Sequence, residues 1–161
     1  MRVGIGYDTH RLAPGRSLVL GGVSIGHPTG LEGHSDADSL IHAVIDAIFG
    51  ASGLGDIGQH FPDSDPALAG IDSAQLLAAA ARQVAEAGYQ LINVDAVVIA
   101  QEPRLGLHLG AMAENIAAAL GVDRARVSVK ATSPERMGAL GRSEGIAAHA
   151  VALLEEIAPR P

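Results

Sequence analysis

The 161-residue chain contains no cysteine. Disulfides and thiolate metal sites are excluded, and histidine, aspartate and glutamate remain as ligand types. Tryptophan is absent and aromatic residues make up 2% of the chain. A hydrophobic fraction of 48% must therefore be packed from alanine, valine, leucine and isoleucine, with 20 glycines allowing elements to approach closely. Lys130 is the only lysine, and the formal net charge is −7. That leaves no basic field for wrapping nucleic acid. An anionic substrate would need metal ions, helix N-termini and a few arginines to offset the charge locally. No apolar run is long enough to span a membrane. Residue 2 onward reads as a strand rather than a leader, so an intracellular, cytoplasmic protein is expected. The length suits one domain over residues 1–161 with a sizeable core.

The stretch from Gly33 to Phe49 organises the rest. Ser35 or Asp36 offers an N-cap oxygen. Leu40, Ile41, Val44, Ile45, Ile48 and Phe49 then recur at helical spacing. Asp38, His42 and Asp46 stand four residues apart and line up on another face. A rigid element thus presents an imidazole with a carboxylate one turn to either side, an arrangement suited to a metal ligand whose second nitrogen needs an orienting partner. A surface histidine in a solvated acidic stripe is the bland alternative.

The N-terminus bears on that choice. Met1 to Asp8 alternates as a strand does. Asp8 and His10 are two residues apart, so an extended chain projects both from one face. With His42 they would supply three ligands to a divalent ion and leave a fourth position open, a catalytic pattern. A lone D-x-H is weak evidence, because many strand ends contain one by chance.

Along the rest of the chain, Ser17–Leu20 and Val23–Ile25 flank Gly21-Gly22 and read as a hairpin. Residues 28–33 read as loop, as do 56–66, where three carboxylates and a histidine gather. Asp72 or Ser73 caps a helix over Ala74–Ala87, closed by Gly88. Leu91–Ala100 is a buried strand. Pro103 fits the start of a helix, with Leu105–Leu120 following and Gly121 at its end. Arg126–Ala131 is another strand, and residues 132–141 form a loop with one turn. Gly145–Ile157 fits helix by propensity and strand by alternation. If that last element is a strand, the fold is a mixed β-sheet with helices on one face, an α/β sandwich. The other sheet face then needs covering by self-association.

Six motifs in order carry a family resemblance: GYDTH at 6–10, GHSDAD at 33–38 with His42, GDIG at 55–58, FPDSDP at 61–66, KATSPE at 130–135 and GRSEG at 141–145. The chain resembles the 2-C-methyl-D-erythritol 2,4-cyclodiphosphate synthase family over essentially its whole length. That resemblance implies a lyase of non-mevalonate isoprenoid biosynthesis. It would convert 4-diphosphocytidyl-2-C-methyl-D-erythritol 2-phosphate to the cyclic diphosphate and CMP. It also implies a homotrimer with sheets around a three-fold axis and active sites between subunits, and it tips Gly145–Ile157 towards strand.

By the same resemblance Asp8, His10 and His42 match zinc ligands. Glu135 matches the ligand of a second ion, magnesium or manganese, bound with the substrate diphosphate. His34 and Ser133 match the positions that steady the transition state, although the family usually has threonine where Ser133 stands, and Pro134 also departs from the commoner residue. Substrate contacts are implied for Asp8, Thr9 and His10. Ser35 would bind a phosphate. Asp56, Ile57 and Gly58 would hold the erythritol, and the mobile loop Phe61, Pro62, Asp63, Ser64 and Asp65 would cover it. The cytidine pocket would comprise Ala100, Gln101, Glu102, Pro103, Arg104, Leu105 and Gly106, with Ala131 and Thr132. Arg142, with Glu144, matches the polar end of an axial cavity that binds isoprenoid diphosphates in some members; Ala139 and Tyr7 replace phenylalanines there. Two other readings stand beside the lyase: a non-enzymatic trimeric metal- or nucleotide-binding sensor module, and a zinc phosphohydrolase giving a linear product.

Overall fold

The protein is described here by a computed structural model covering residues 1–157. Strand β1 (Arg2–Pro14) is followed by the short strands β2 (Leu18–Leu20), β3 (Val23–Ile25) and β4 (Thr29–Leu31). Helix α1 (Ser39–Ser52), the turn α2 (Ile57–His60) and helix α3 (Ser73–Glu86) come next. Strand β5 (Tyr89–Ile99), helix α4 (Leu109–Leu120), strand β6 (Val127–Thr132), the turn α5 (Gly138–Gly141) and strand β7 (Gly145–Glu156) complete the chain. The main sheet has the order β4-β1-β7-β5-β6, antiparallel except for the parallel β5–β6 pair. It is an α/β arrangement with α1, α3 and α4 packed together on one side.

The alternation in β1 has an unexpected sense. Val3, Ile5 and Tyr7 are 69%, 70% and 51% exposed, while Gly4 and Gly6 are buried under α1. The helix lies directly on the glycine face. A Cβ added at Gly6 would meet the carbonyl of Ala43, and one at Gly4 the carbonyl of Ala47. Only a strand face without side chains lets α1 come this close, and the alanines of α1 complete the fit. Val3, Ile5, Tyr7, His149 and Val151 all stand open on the opposite sheet face. In β7, Ala148, Ala150, Ala152 and Leu154 turn to the helices, so the segment that fitted two periods is a strand.

Several boundaries differ from the sequence expectation. Helix α1 is capped by Asp38, whose side chain accepts from the Ile41 N–H at 3.0 Å, rather than by Ser35 or Asp36. Ala37 sits in the left-handed region at φ 58°, so no helix can start before it. Almost all of α1 is buried, with the helix enclosed on every side instead of along one stripe. The 28–33 loop contains β4, which pairs with the last residues of a β1 longer than expected. The 56–66 loop contains α2, capped by Asp56. Helix α4 begins at Leu109, not at Leu105 behind Pro103; Gly106, a poor helix former, lies in the preceding loop. The Gly21-Gly22 hairpin is present, with both glycines at positive φ as a type I′ turn requires.

Candidate metal centre and neighbouring cavity

The face of β1 that packs on α1 carries Asp8 and His10 just beyond the two glycines. Helix α1 brings His42 over them. Asp8 Oδ2 lies 2.9 Å from His10 Nε2 and 3.1 Å from His42 Nδ1, and the two ring nitrogens are 3.3 Å apart. Among the described residues these three form the one group able to hold a metal ion. Ligands at about 2.0 Å around a tetrahedral ion would be spaced by about 3.3 Å, so the triangle fits a zinc-sized cation without rearrangement. The donor set of two imidazoles and a carboxylate suits zinc, with a fourth position open.

The far nitrogens of both imidazoles are engaged. His10 Nδ1–H donates to the Glu32 carbonyl at 2.7 Å. His42 Nε2 faces Ser73 Oγ at 2.9 Å, with Ser35 Oγ further off at 3.3 Å. The expected orienting partners, Asp38 and Asp46, do not reach this ring. Asp38 is spent on the Ile41 and Gly22 N–H groups, and Asp46 accepts from the Ile57 N–H. Four-residue spacing put them on the right face, but each is pulled to a backbone donor closer than the imidazole. Ser73 was missed because its link to His42 spans 31 residues and depends on how α3 docks.

Electrostatics follow from the packing. Burial would raise the Asp8 carboxyl, but the adjoining His10 and His42 rings outweigh it and hold the group well below the usual carboxylate range. Burial would lower His10, yet pairing with Asp8 and the Glu32 carbonyl raises it above 6.5. Burial pushes Asp38 up to about 6 against its backbone donors, and raises Asp46 as well.

A cavity of about 490 Å³ opens in front of the cluster, lined by Asp8, His10, His42, His34 and Ser35, with Ile57, Gly58, Phe61, Pro62 and Asp63 opposite. His34 Nε2–H donates to the Asp65 carbonyl at 3.0 Å and so tethers the 61–65 loop. A second cavity of about 740 Å³ lies at the ends of β5 and β6. It is lined by Ala100, Gln101, Pro103, Arg104, Leu105 and Gly106, and by Ala131, Thr132, Ser133 and Glu135. Glu135 and Arg136 are both in the left-handed region, at φ 53° and 60°. That turn is held by Ser133 Oγ, which accepts from the Glu135 N–H at 2.9 Å, and by Gln101 Oε1, which accepts from the Arg136 N–H at 2.9 Å.

The linings of these two cavities do not include Thr9, Asp56, Ser64, Asp65, Glu102, Pro134 or Arg142. Thr9 points to the other sheet face and donates to the Ile146 carbonyl. Asp56 accepts from Gln59, and Arg142 pairs with Glu144 at 2.6 Å. Glu135 stands in the second cavity, apart from the Asp8 cluster. In register, Asp8 pairs with Ala148, Ala148 with Val98 and Val98 with Ala131. Three strand spacings, about 14 Å, therefore separate Asp8 in the first cavity from Ala131 in the second.

Comparison with known proteins decides the family. The profile of the YgbB family matches residues 1–155. The chain belongs to the YgbB family. A relative from Cupriavidus necator named 2-C-methyl-D-erythritol 2,4-cyclodiphosphate synthase is 60% identical over 96% of this chain and 91% of its own length. One of the same name from Symbiobacterium thermophilum is 57% identical over 96% of this chain and 98% of its own. Among solved structures, the bifunctional IspDF of Campylobacter jejuni superposes with a TM-score of 0.93 at 44% identity. This YgbB chain is covered to 97% there and spans 42% of that protein's length. The Plasmodium falciparum IspF–CDP complex aligns at a TM-score of 0.84 and 34% identity, over 97% of this chain and 96% of that one. No helix among the described residues is long and apolar enough to cross a membrane.

Proposed function

We propose that this YgbB-family chain is an enzyme that converts 4-diphosphocytidyl-2-C-methyl-D-erythritol 2-phosphate to 2-C-methyl-D-erythritol 2,4-cyclodiphosphate and CMP, in isoprenoid biosynthesis. The observation that carries the reading is the Asp8–His10–His42 triangle at the mouth of a cavity, with both rear imidazole nitrogens already bonded. The substrate's 2-phosphate is its own nucleophile, anionic near neutral pH. It attacks the β-phosphorus, the P–O bond to the α-phosphate breaks, and CMP leaves. The protein must supply position and charge neutralisation more than a base.

Asp8, His10 and His42 would hold a zinc ion, which would supply Lewis-acid chemistry towards the substrate diphosphate. Glu135 would hold a second ion, magnesium or manganese, bound with the substrate diphosphate. The chain's own groups do the rest. His34 and the Ser133 hydroxyl donate to oxygens that gain charge in the transition state. Ser133 Oγ accepts from the Glu135 N–H, so its own hydrogen is free to donate to a phosphoryl oxygen. Ser35, Asp56 and Gly58 bind the phosphate and erythritol end, with the 61–65 loop closing over it. The second cavity takes the cytidine diphosphate end, a reading supported by the CDP complex of the Plasmodium relative.

Active sites between subunits of a homotrimer explain why the two cavities lie about three strand spacings apart on one chain. They also explain the open apolar sheet face carrying Val3, Ile5 and Val151. In this reading residues 1–161 act as one cytoplasmic domain that binds neither nucleic acid nor membrane.

The test is to incubate the purified protein with the diphosphocytidyl substrate, zinc and magnesium, and to follow ³¹P NMR. Cyclic diphosphate with stoichiometric CMP is expected. A linear product would point to a phosphohydrolase, and CDP binding without turnover would point to a sensor module.

A further inference from the structure

His42 has two carboxylates on its own helix, and neither touches its ring. The contact to Nε2 comes instead from Ser73, a fully buried residue at the start of α3, whose Oγ is 2.9 Å away. A hydroxyl carries a single hydrogen, and the partners of Ser73 settle where it points. Asp36 Oδ1 lies 2.5 Å from Ser73 Oγ, and Asp36 Oδ2 accepts from the Ser73 N–H at 3.1 Å. An ionised carboxylate can only accept. Ser73 therefore donates to Asp36, and its remaining lone pair must accept from His42 Nε2–H. Asp36 is itself fixed, because its N–H donates to the Ile71 carbonyl and its Oδ1 accepts from the Asp38 N–H.

We infer that Asp36 and Ser73 form a proton-ordered relay that positions His42, holding the hydrogen on Nε2 so that Nδ1 is presented bare towards Asp8 and His10. The relay joins α1, the segment before it and α3, so one ring orientation is imposed from outside the helix that carries the ring. Such outer partners fix the tautomer and raise the basicity of a ligating imidazole. Ser35 Oγ is the competing acceptor, but it is 3.3 Å from Nε2 and already accepts from the Ala37 N–H. The inference rests on the zinc reading above and adds the residues that set its geometry.

Two measurements on the full-length protein test it: zinc affinity by competition with a chromophoric chelator, and the His42 Nε2–H signal in zinc-loaded, ¹⁵N-histidine-labelled protein. Ser73→Ala is expected to weaken zinc binding roughly 10- to 100-fold and to abolish slow exchange of the Nε2 proton. Asp36→Asn leaves the hydroxyl in place but weakens its acceptor, and should show a smaller loss in the same direction. Ser35→Ala should cost less than Ser73→Ala. Ser73→Ala that melts earlier yet binds zinc within about twofold of wild type and keeps the proton overturns the relay. So does Ser35→Ala as the more damaging change. If Ser73→Ala does not fold, Asp36→Asn decides, and unchanged affinity there overturns the relay. Wild-type protein that binds no zinc sinks the metal reading itself, whereas tight wild-type binding with unaffected variants sinks the relay alone.

Discussion

Replacing Gly6 with alanine should damage the metal centre more than the fold. The added Cβ would fall 1.9 Å from the Ala43 carbonyl oxygen and 2.8 Å from the Ala47 N–H nitrogen, both backbone atoms of α1. Real Cβ atoms essentially never come within 3.0 Å of such a neighbour, so strand and helix must part by roughly 1.1 Å. Overpacking of this kind costs about 1–3 kcal/mol. For a chain of this size that lowers Tm by roughly 2–12 °C. The site lies one step away on both elements: Asp8 follows Gly6 on the same strand face, and His42 precedes Ala43. A retreat of about 1 Å is some five times the roughly 0.2 Å tolerance of metal–ligand distances. Zinc affinity should therefore drop sharply, and kcat/KM about 100-fold. Gly4→Ala is the control. Its Cβ would be just as close to α1, 2.0 Å from the Ala47 carbonyl. That contact lies about 7.5 Å further along the helix from His42, at 1.5 Å per residue. Gly4→Ala should thus cost comparable stability and much less zinc. Chelator competition, thermal melts and turnover on both variants decide the matter. Gly6→Ala with wild-type zinc affinity, or Gly4→Ala losing as much, would refute the argument.

Three further outcomes are expected. Zinc must displace the proton from His10, whose pKa is raised by Asp8, so apparent affinity should rise about tenfold per pH unit up to that raised value and then level off; a flat profile between pH 5.5 and 6.5 in chelator titrations would contradict this. Asp38→Ala removes the α1 cap and the acceptor of the exposed Gly22 N–H, and should cost about 1–3 kcal/mol in urea denaturation, from the cap and one ordinary hydrogen bond together. Ile5→Glu charges the open sheet face, and sedimentation should shift from about 49 kDa, three times the 16.4 kDa chain, towards the monomer; a wild-type monomer would remove the trimer reading.

Much of the site was readable before any fold was known. Period-two spacing placed Asp8 and His10 on one strand face, and a strong helical pattern carried His42. Other parts were not readable. The Gly21-Gly22 turn was clear as a hairpin, but not that its Gly22 N–H would draw Asp38 away from His42 at 2.7 Å. Residues 28–33 show no strand pattern, because β4 is only three residues long and is held by pairing with β1.

By itself the amino-acid order determined the ligand chemistry and the alternation of β1, since both depend only on residue type and on a fixed backbone period. The tertiary structure decided which face of that strand is covered. Alternation defines two faces but does not choose between them, and the bare glycine face was taken because only it admits a helix at backbone contact. Packing likewise chose Ser73 over two nearer carboxylates as the partner of His42, because a hydrogen bond answers to distance in space and not along the chain.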